Sequence, residues 1–241
     1  MIDQFILFAV LTFIASLLGT ISGFGISTIM IPVMSLFYPI HLTLLFVALI
    51  HLCGDVWKVI FFRKGVNWRL ILGFGIPGII ASYAGASISL NAPDLFLKRL
   101  LGGFLFIYVF FLFKKQSWKI RKTDRAAFAG GSLSGFFAGI FGVGGAIRSA
   151  FLAAYDLPKE MYIYTSGMIA LFIDTSRIFR YFTGGTALPQ PLLYILILLI
   201  PISFSGAYIA KKIVNFVPQR LFRLIIISLL GMVALKFLIF P

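Results

Sequence analysis

Residues 42–62, 70–90 and 188–210 form three apolar runs. Each is long enough to cross a hydrocarbon core of ~30 Å, which takes roughly 20 helical residues. A segment dissolved in lipid must satisfy its own backbone polar groups, so such runs fold as helices or as strands of a closed barrel. Barrel strands alternate apolar and polar residues, and that pattern is absent here. The chain reads as an all-α polytopic membrane protein. The opening stretch, "MIDQFILFAV", lacks the basic region and cleavage site of a signal peptide and reads as a retained first membrane segment.

The formal net charge of +14 would suggest nucleic acid in a soluble chain. Here the cations sit in short loops between apolar runs, and the excess of Lys and Arg on the cytoplasmic side of membrane proteins accounts for them. No nucleic-acid partner is expected. The lone cysteine, Cys53, forms no internal disulfide.

The chain is written twice. Gly23 and Gly25 recur as Gly142 and Gly144 at a shift of 119, which also carries Pro39 onto Pro158, Asp55 onto Asp174, Lys58 onto Arg177 and Gly65 onto Gly184. The shift then becomes 121, with Gly85 on Gly206 and Arg99 on Arg220. A near-constant offset over so many special residues marks an internal repeat. It divides the chain into a first repeat, 1–113, a basic cytoplasmic linker, 114–125, and a second repeat, 126–241.

Each repeat opens with an apolar arm (5–22; 126–141), a glycine break, and a short second arm (26–37; 145–155). Three long helices follow in each: 42–62, 70–90 and 97–113, then 161–182, 188–210 and 221–240. About a dozen residues span only roughly 18 Å as a helix, too short to cross. The economical reading is a re-entrant or broken helix pair that turns near mid-depth, its freed backbone buried in protein or facing a polar cavity. Each repeat then crosses an odd number of times, and the two are inverted. With Lys58, Arg148 and Arg177 set aside as embedded, this arrangement places fourteen cationic residues on one side and four on the other. Parallel repeats give eleven against seven, so the inverted arrangement is preferred, with both termini outside.

Inverted repeats with broken helices are the mark of secondary transporters. A half-helix starting inside the protein offers free N–H groups and a positive dipole end, which suit an anion. Candidate substrate-binding residues are therefore Ser22, Gly23, Gly25, Ser27 and Thr28 at the first break, and Gly142, Gly144, Gly145 and Arg148 at the second. Gly131, Gly135 and Gly139, spaced by four, read instead as a helix-packing ridge. Ionisable residues inside a membrane are costly and usually functional. His51, Asp55 and Lys58 share one helix face, and Asp174 and Arg177 repeat the last two. They are assigned to gating or coupling, with a purely structural ion pair as the alternative. Proton coupling through His51, Asp55 and Asp174 stays open. Two histidines and one cysteine argue against a metal site, no phosphate-binding loop is present, and no cofactor or catalytic residue is assigned.

These residues together resemble the sulfite exporter (TauE/SafE) family of bacterial and archaeal membrane proteins. The resemblance rests on the duplication, the glycine-rich break early in each half, Pro32 downstream of the first break, and the basic central loop. It implies a cell-membrane transporter of a small sulfur-containing anion, of the sulfite or organosulfonate type. The competing readings are a membrane-embedded enzyme and an assembly subunit without transport activity.

Overall fold

The computed structural model describes residues 2–63, 65–114, 121–214, 216 and 219–239. Ten α-helices and one short 3-10 turn are present among them. The first half contains α1 (Ile2–Ser22), α2 (Ser27–Met34), α3 (Ile40–Phe61), α4 (Trp68–Asn91) and α5 (Asp94–Lys114). The second contains α6 (Asp124–Phe141), α7 (Gly144–Leu152) with the 3-10 turn Ala153–Tyr155, α8 (Lys159–Thr183), α9 (Gln190–Ile213) and α10 (Gln219–Ile239). The expected elements are present with ends moved by a few residues. Half of the expected linker, 114–125, falls on residues 115–120, outside the described residues.

Four described helices are long and apolar enough to cross a membrane: Phe5–Ser22, Ile40–Phe61, Trp68–Asn91 and Gln190–Ile213. The first coincides with the expected opening arm, 5–22, and α1, with 21 residues, is a full membrane length. Its partner α2 has 8 residues and is not. The pair nonetheless forms a hairpin. Tyr38, just past α2, packs on Phe8 near the start of α1, with ring centroids 5.8 Å apart. The second pair behaves alike: Tyr155 donates to the Thr123 carbonyl at 2.7 Å, and Lys122 pairs with Asp156 at 2.6 Å. In both halves the chain returns to the end from which it set out.

Helix directions follow from named contacts. His51 of α3 faces Asp174 of α8, while Lys58 lies beside Gly167, so α3 and α8 run antiparallel. Gly102 of α5 lies against Phe237 of α10 and Gly231 against Val109, again antiparallel. In contrast α4 runs parallel to α8: Ser82 donates to the Ile173 carbonyl at 3.0 Å and Arg180 donates to Ser87 at 2.7 Å. Likewise α3 runs parallel to α9, through Trp57 with Ser203 and Phe61 with Tyr208.

The tightest helix contact follows from the glycine ridge. Gly131, Gly135 and Gly139 of α6 meet the carbonyls of Phe74, Gly78 and Ser82 of α4 in turn. Residues four apart lie on one helix stripe, and without side chains the two backbones touch. The ridge expected from the sequence is a packing feature. Outside, Ile76, Ile80, Ile107, Tyr194 and Ile197 are among many exposed apolar side chains, as a lipid-facing surface requires.

A Cβ at Gly135 overlaps the Gly78 carbonyl, whereas one at Gly103 has nothing within 4 Å. Gly135→Ala should therefore lower the thermal midpoint of the detergent-solubilised protein, at an overpacking cost of about 1–3 kcal/mol. Gly103→Ala should leave that midpoint unchanged or higher. Equal midpoints for the two variants would count against the α4–α6 register.

Candidate functional site

The first break is built from local chemistry. The Ser22 hydroxyl donates to the Leu18 carbonyl at 2.8 Å and accepts from Phe24 N–H at 3.1 Å, closing the end of α1. Gly23 and Gly25 then adopt φ of 73° and 85°, the left-handed region in which a side chain is strained. Gly25 N–H reaches back to the Gly19 carbonyl at 3.1 Å. Thr28 donates to the Phe24 carbonyl at 3.1 Å. The hydroxyls of Ser22 and Thr28, expected as donors to a ligand, thus stabilise the break itself; Ser27 is buried beside them. In the second break Gly142 caps α6 at φ 69°, its N–H bonded to the Ala138 carbonyl at 2.9 Å. Ser134 donates to the Gly144 carbonyl at 2.9 Å.

The two breaks touch. A Cβ on Gly145 would overlap the Phe24 carbonyl, and one on Gly25 would overlap Nε2 of His51. His51 is the twelfth of the 22 residues of α3, so the first break sits beside the midpoint of that helix. A Cβ on Gly142 would overlap Cδ1 of Ile31 and also press on Nη1 of Arg177 at 2.9 Å. Each break is therefore closed against a charged or titratable residue of a long helix, and only glycine leaves the room.

Between α3 and α8 the five expected charged residues form one network. Lys58 Nζ donates to Asp55 Oδ1 at 2.7 Å, and Arg177 Nε to Asp174 Oδ1 at 2.7 Å. His51 joins them. Its Nδ1 makes a hydrogen-bond contact with Asp174 Oδ2 and lies 3.3 Å from Asp55 Oδ2. All five side chains are at most 2% exposed by residue. The sequence pairs each carboxylate with the cation three residues on, and both pairs are present. It does not reveal the link from His51 in one half to Asp174 in the other.

Arg148 of α7 is also buried. Its Nε donates to the Ser166 hydroxyl at 3.0 Å, and that hydroxyl donates to the Gly23 carbonyl at 3.0 Å. The guanidinium lies within electrostatic reach of Asp55, Asp174 and Arg177. Ser166 thus ties the Arg148 arm to the other half's break, and the Tyr162 ring covers Gly23. Neither residue was expected from the sequence. The positions 119 earlier are Val47 and Thr43, so the repeat carries no signal for them.

The resulting cluster holds three cations, Lys58, Arg148 and Arg177, against two carboxylates. Among the described residues, Arg148 Nη2 and His51 Nε2 are buried without hydrogen-bond partners. Buried polar groups ordinarily have partners, and Asp55 Oδ2 in the same cluster also lacks a hydrogen-bond partner. His51, Asp55 and Asp174 can also bring three ligand atoms within 4.8 Å of one another, a geometry the sequence does not disclose. The chemistry of the set suits an N–H better than a dication. Each carboxylate already holds a cation, and a metal ion would add positive charge to a cluster that has an excess of it.

Comparison with known proteins agrees with this architecture. "Probable membrane transporter protein MJ0441" of Methanocaldococcus jannaschii is 25% identical to this chain over 260 aligned positions, covering 97% of this chain and 95% of that protein. The family described as sulfite exporter TauE/SafE matches residues 8–237, nearly the whole length. The chain is a multi-pass protein of the cell membrane and belongs to the sulfite exporter TauE/SafE family of membrane transporters.

Proposed function

We propose that this protein is a secondary transporter of a small sulfur-containing oxyanion, of the sulfite or organosulfonate type, and that the anion binds where the two breaks meet. The observation that carries this reading is the buried excess cation together with the unpartnered Nη2 of Arg148 and Nε2 of His51. An uncompensated charge is costly away from water. An oxyanion neutralises it and accepts from Arg148 Nη2, and from His51 Nε2 when that nitrogen carries a proton. Gly23, Gly25, Gly142, Gly144 and Gly145 allow close backbone approach, and the start of α7 adds its dipole end. Ser22, Ser27 and Thr28 belong to the site as the residues that shape the first break. His51, Asp55, Lys58, Asp174 and Arg177 hold α3 and α8 together and form the gate. The cluster is closed to solvent in this conformation, as an occluded transport intermediate would be.

In this reading the repeats 1–113 and 126–241 are inverted, with re-entrant hairpins α1–α2 and α6–α7. The antiparallel crossings of the equivalent pairs α3/α8 and α5/α10 support it. So does the grouping of Arg69, Lys122, Lys159 and the 211–212 lysines at one end, which becomes the cytoplasmic end. Alternating access then proceeds by movement of one repeat against the other around a central site.

Three outcomes are expected. Arg148→Ala should weaken binding of methanesulfonate or sulfate to the purified protein about ten- to a hundredfold, since charge-assisted hydrogen bonds contribute roughly 1.5–3 kcal/mol. Unchanged affinity by calorimetry would remove Arg148 from the site. Asp174→Asn alone should lower the yield of folded protein by leaving Arg177 buried and unpaired, a cost of about 3–5 kcal/mol. The double variant Asp174→Asn, Arg177→Met should recover folding but not flux in proteoliposomes; full flux there would make the pair purely structural. Single cysteines at Lys122 and Ala187, in a Cys53→Ser background, should react with impermeant maleimide from opposite sides of the membrane. Labelling of both from one side would favour parallel repeats.

A further inference from the structure

The environment of His51 fixes which of its two nitrogens exchanges a proton. Nδ1 faces Oδ2 of Asp174 in hydrogen-bond contact and Oδ2 of Asp55 at 3.3 Å. A bare lone pair there would point at two carboxylate oxygens, so Nδ1 carries its hydrogen whether the ring is neutral or charged. The ring therefore gains or loses charge at Nε2. That atom is buried, has no partner among the described residues, and lies against Gly25 at the first break. The groups facing the ring are Asp55 and Lys58 on its own helix, and Asp174 and Arg177 on α8. Arg148 reaches the same carboxylates from α7, with Tyr162 beside it and Tyr181 beside Arg177. The break itself contributes glycine and no ionisable group.

Charge balance then gives this nitrogen a task. With neutral His51 the cluster carries three cations and two carboxylates, a formal +1, and one monoanion balances it. A dianion leaves it at –1 unless one further positive charge appears. We propose that Nε2 of His51 is a proton-binding site that matches the cluster to the charge of its anion. A dianionic oxyanion binds together with one proton, and the Nε2–H so formed donates to it; a monoanion binds without one. No bond other than N–H forms, and the proton comes from solvent before the site closes. The position 119 residues on is Ala170, so the second half has no counterpart of this imidazole. This inference rests on the anion reading above and gives it a coupling ion.

The test uses the full-length protein in detergent with two probes that stay ionised between about pH 5 and pH 8, where histidine ordinarily exchanges its proton. Sodium sulfate supplies the dianion and sodium methanesulfonate the monoanion. Nitrogen-15 histidine spectra, assigned with His51→Asn, should show Nδ1 protonated throughout, and Nε2 more protonated on adding sulfate at constant pH. In weakly buffered solution, sulfate binding should take up about one proton per anion, and methanesulfonate binding much less. His51→Asn keeps an N–H toward the two carboxylates but cannot become charged, and its proton uptake with sulfate should vanish. An Nε2 whose protonation ignores bound sulfate, equal uptake for the two anions, or uptake that survives in His51→Asn would overturn the proposal. If calorimetry finds that neither anion binds while Nε2 still exchanges its proton with pH, the proton site stands and the anion reading is what fails.

Discussion

The contact of His51 with Asp174 joins the two halves at their most expensive place. A lone charge in this interior would carry a desolvation penalty of several kcal/mol. Each half first solves the problem locally, with a carboxylate and a cation three residues apart on one helix, Asp55 with Lys58 and Asp174 with Arg177. Those pairs are self-sufficient, so α3 and α8 need not meet on their account. The imidazole makes them meet. It presents Nδ1 to carboxylates from both helices, and so converts two separate ion pairs into one network.

The glycines make that network reachable. Along α6, three of them remove the side chains that would hold α4 away, so carbonyls of one helix lie on the Cα atoms of the other. At the breaks they act differently. Gly25 yields space to an imidazole, Gly142 to a guanidinium and Gly145 to a backbone carbonyl. Two interrupted helices can then approach each other and the charged face of the long pair at one point. A larger residue at Gly25 would push the imidazole away from the break.

The glycine breaks and the ion pairs recur in the sequence at an offset of 119, but the chemistry around them does not. His51 has Ala170 as its counterpart, and Arg148 has Ile29. One half supplies the titratable ring and the other the excess guanidinium. A symmetric site would place equal donors on both sides of a ligand. Here a guanidinium stands on α7 and an imidazole on α3, and neither is matched at the position 119 residues away.

The sequence by itself determined the class, the helix positions and the two ion pairs. Those features are local or periodic: hydropathy acts over about 20 residues, and carboxylate and cation three apart meet on any helix. It also marked Gly131, Gly135 and Gly139 as packing residues from their spacing alone. Only the tertiary structure decided what crosses between the halves. The link of His51 to Asp174 spans 123 positions, and Ser166 to Gly23 spans 143. Neither joins positions at the 119-residue offset read from the sequence, so that offset carries no signal for them. The same holds for Ser22 and Thr28, whose hydroxyls look like free donors in the sequence. They turn out to be bonded to carbonyls of their own break, since a backbone bent away from helix must find partners within reach of its own turn.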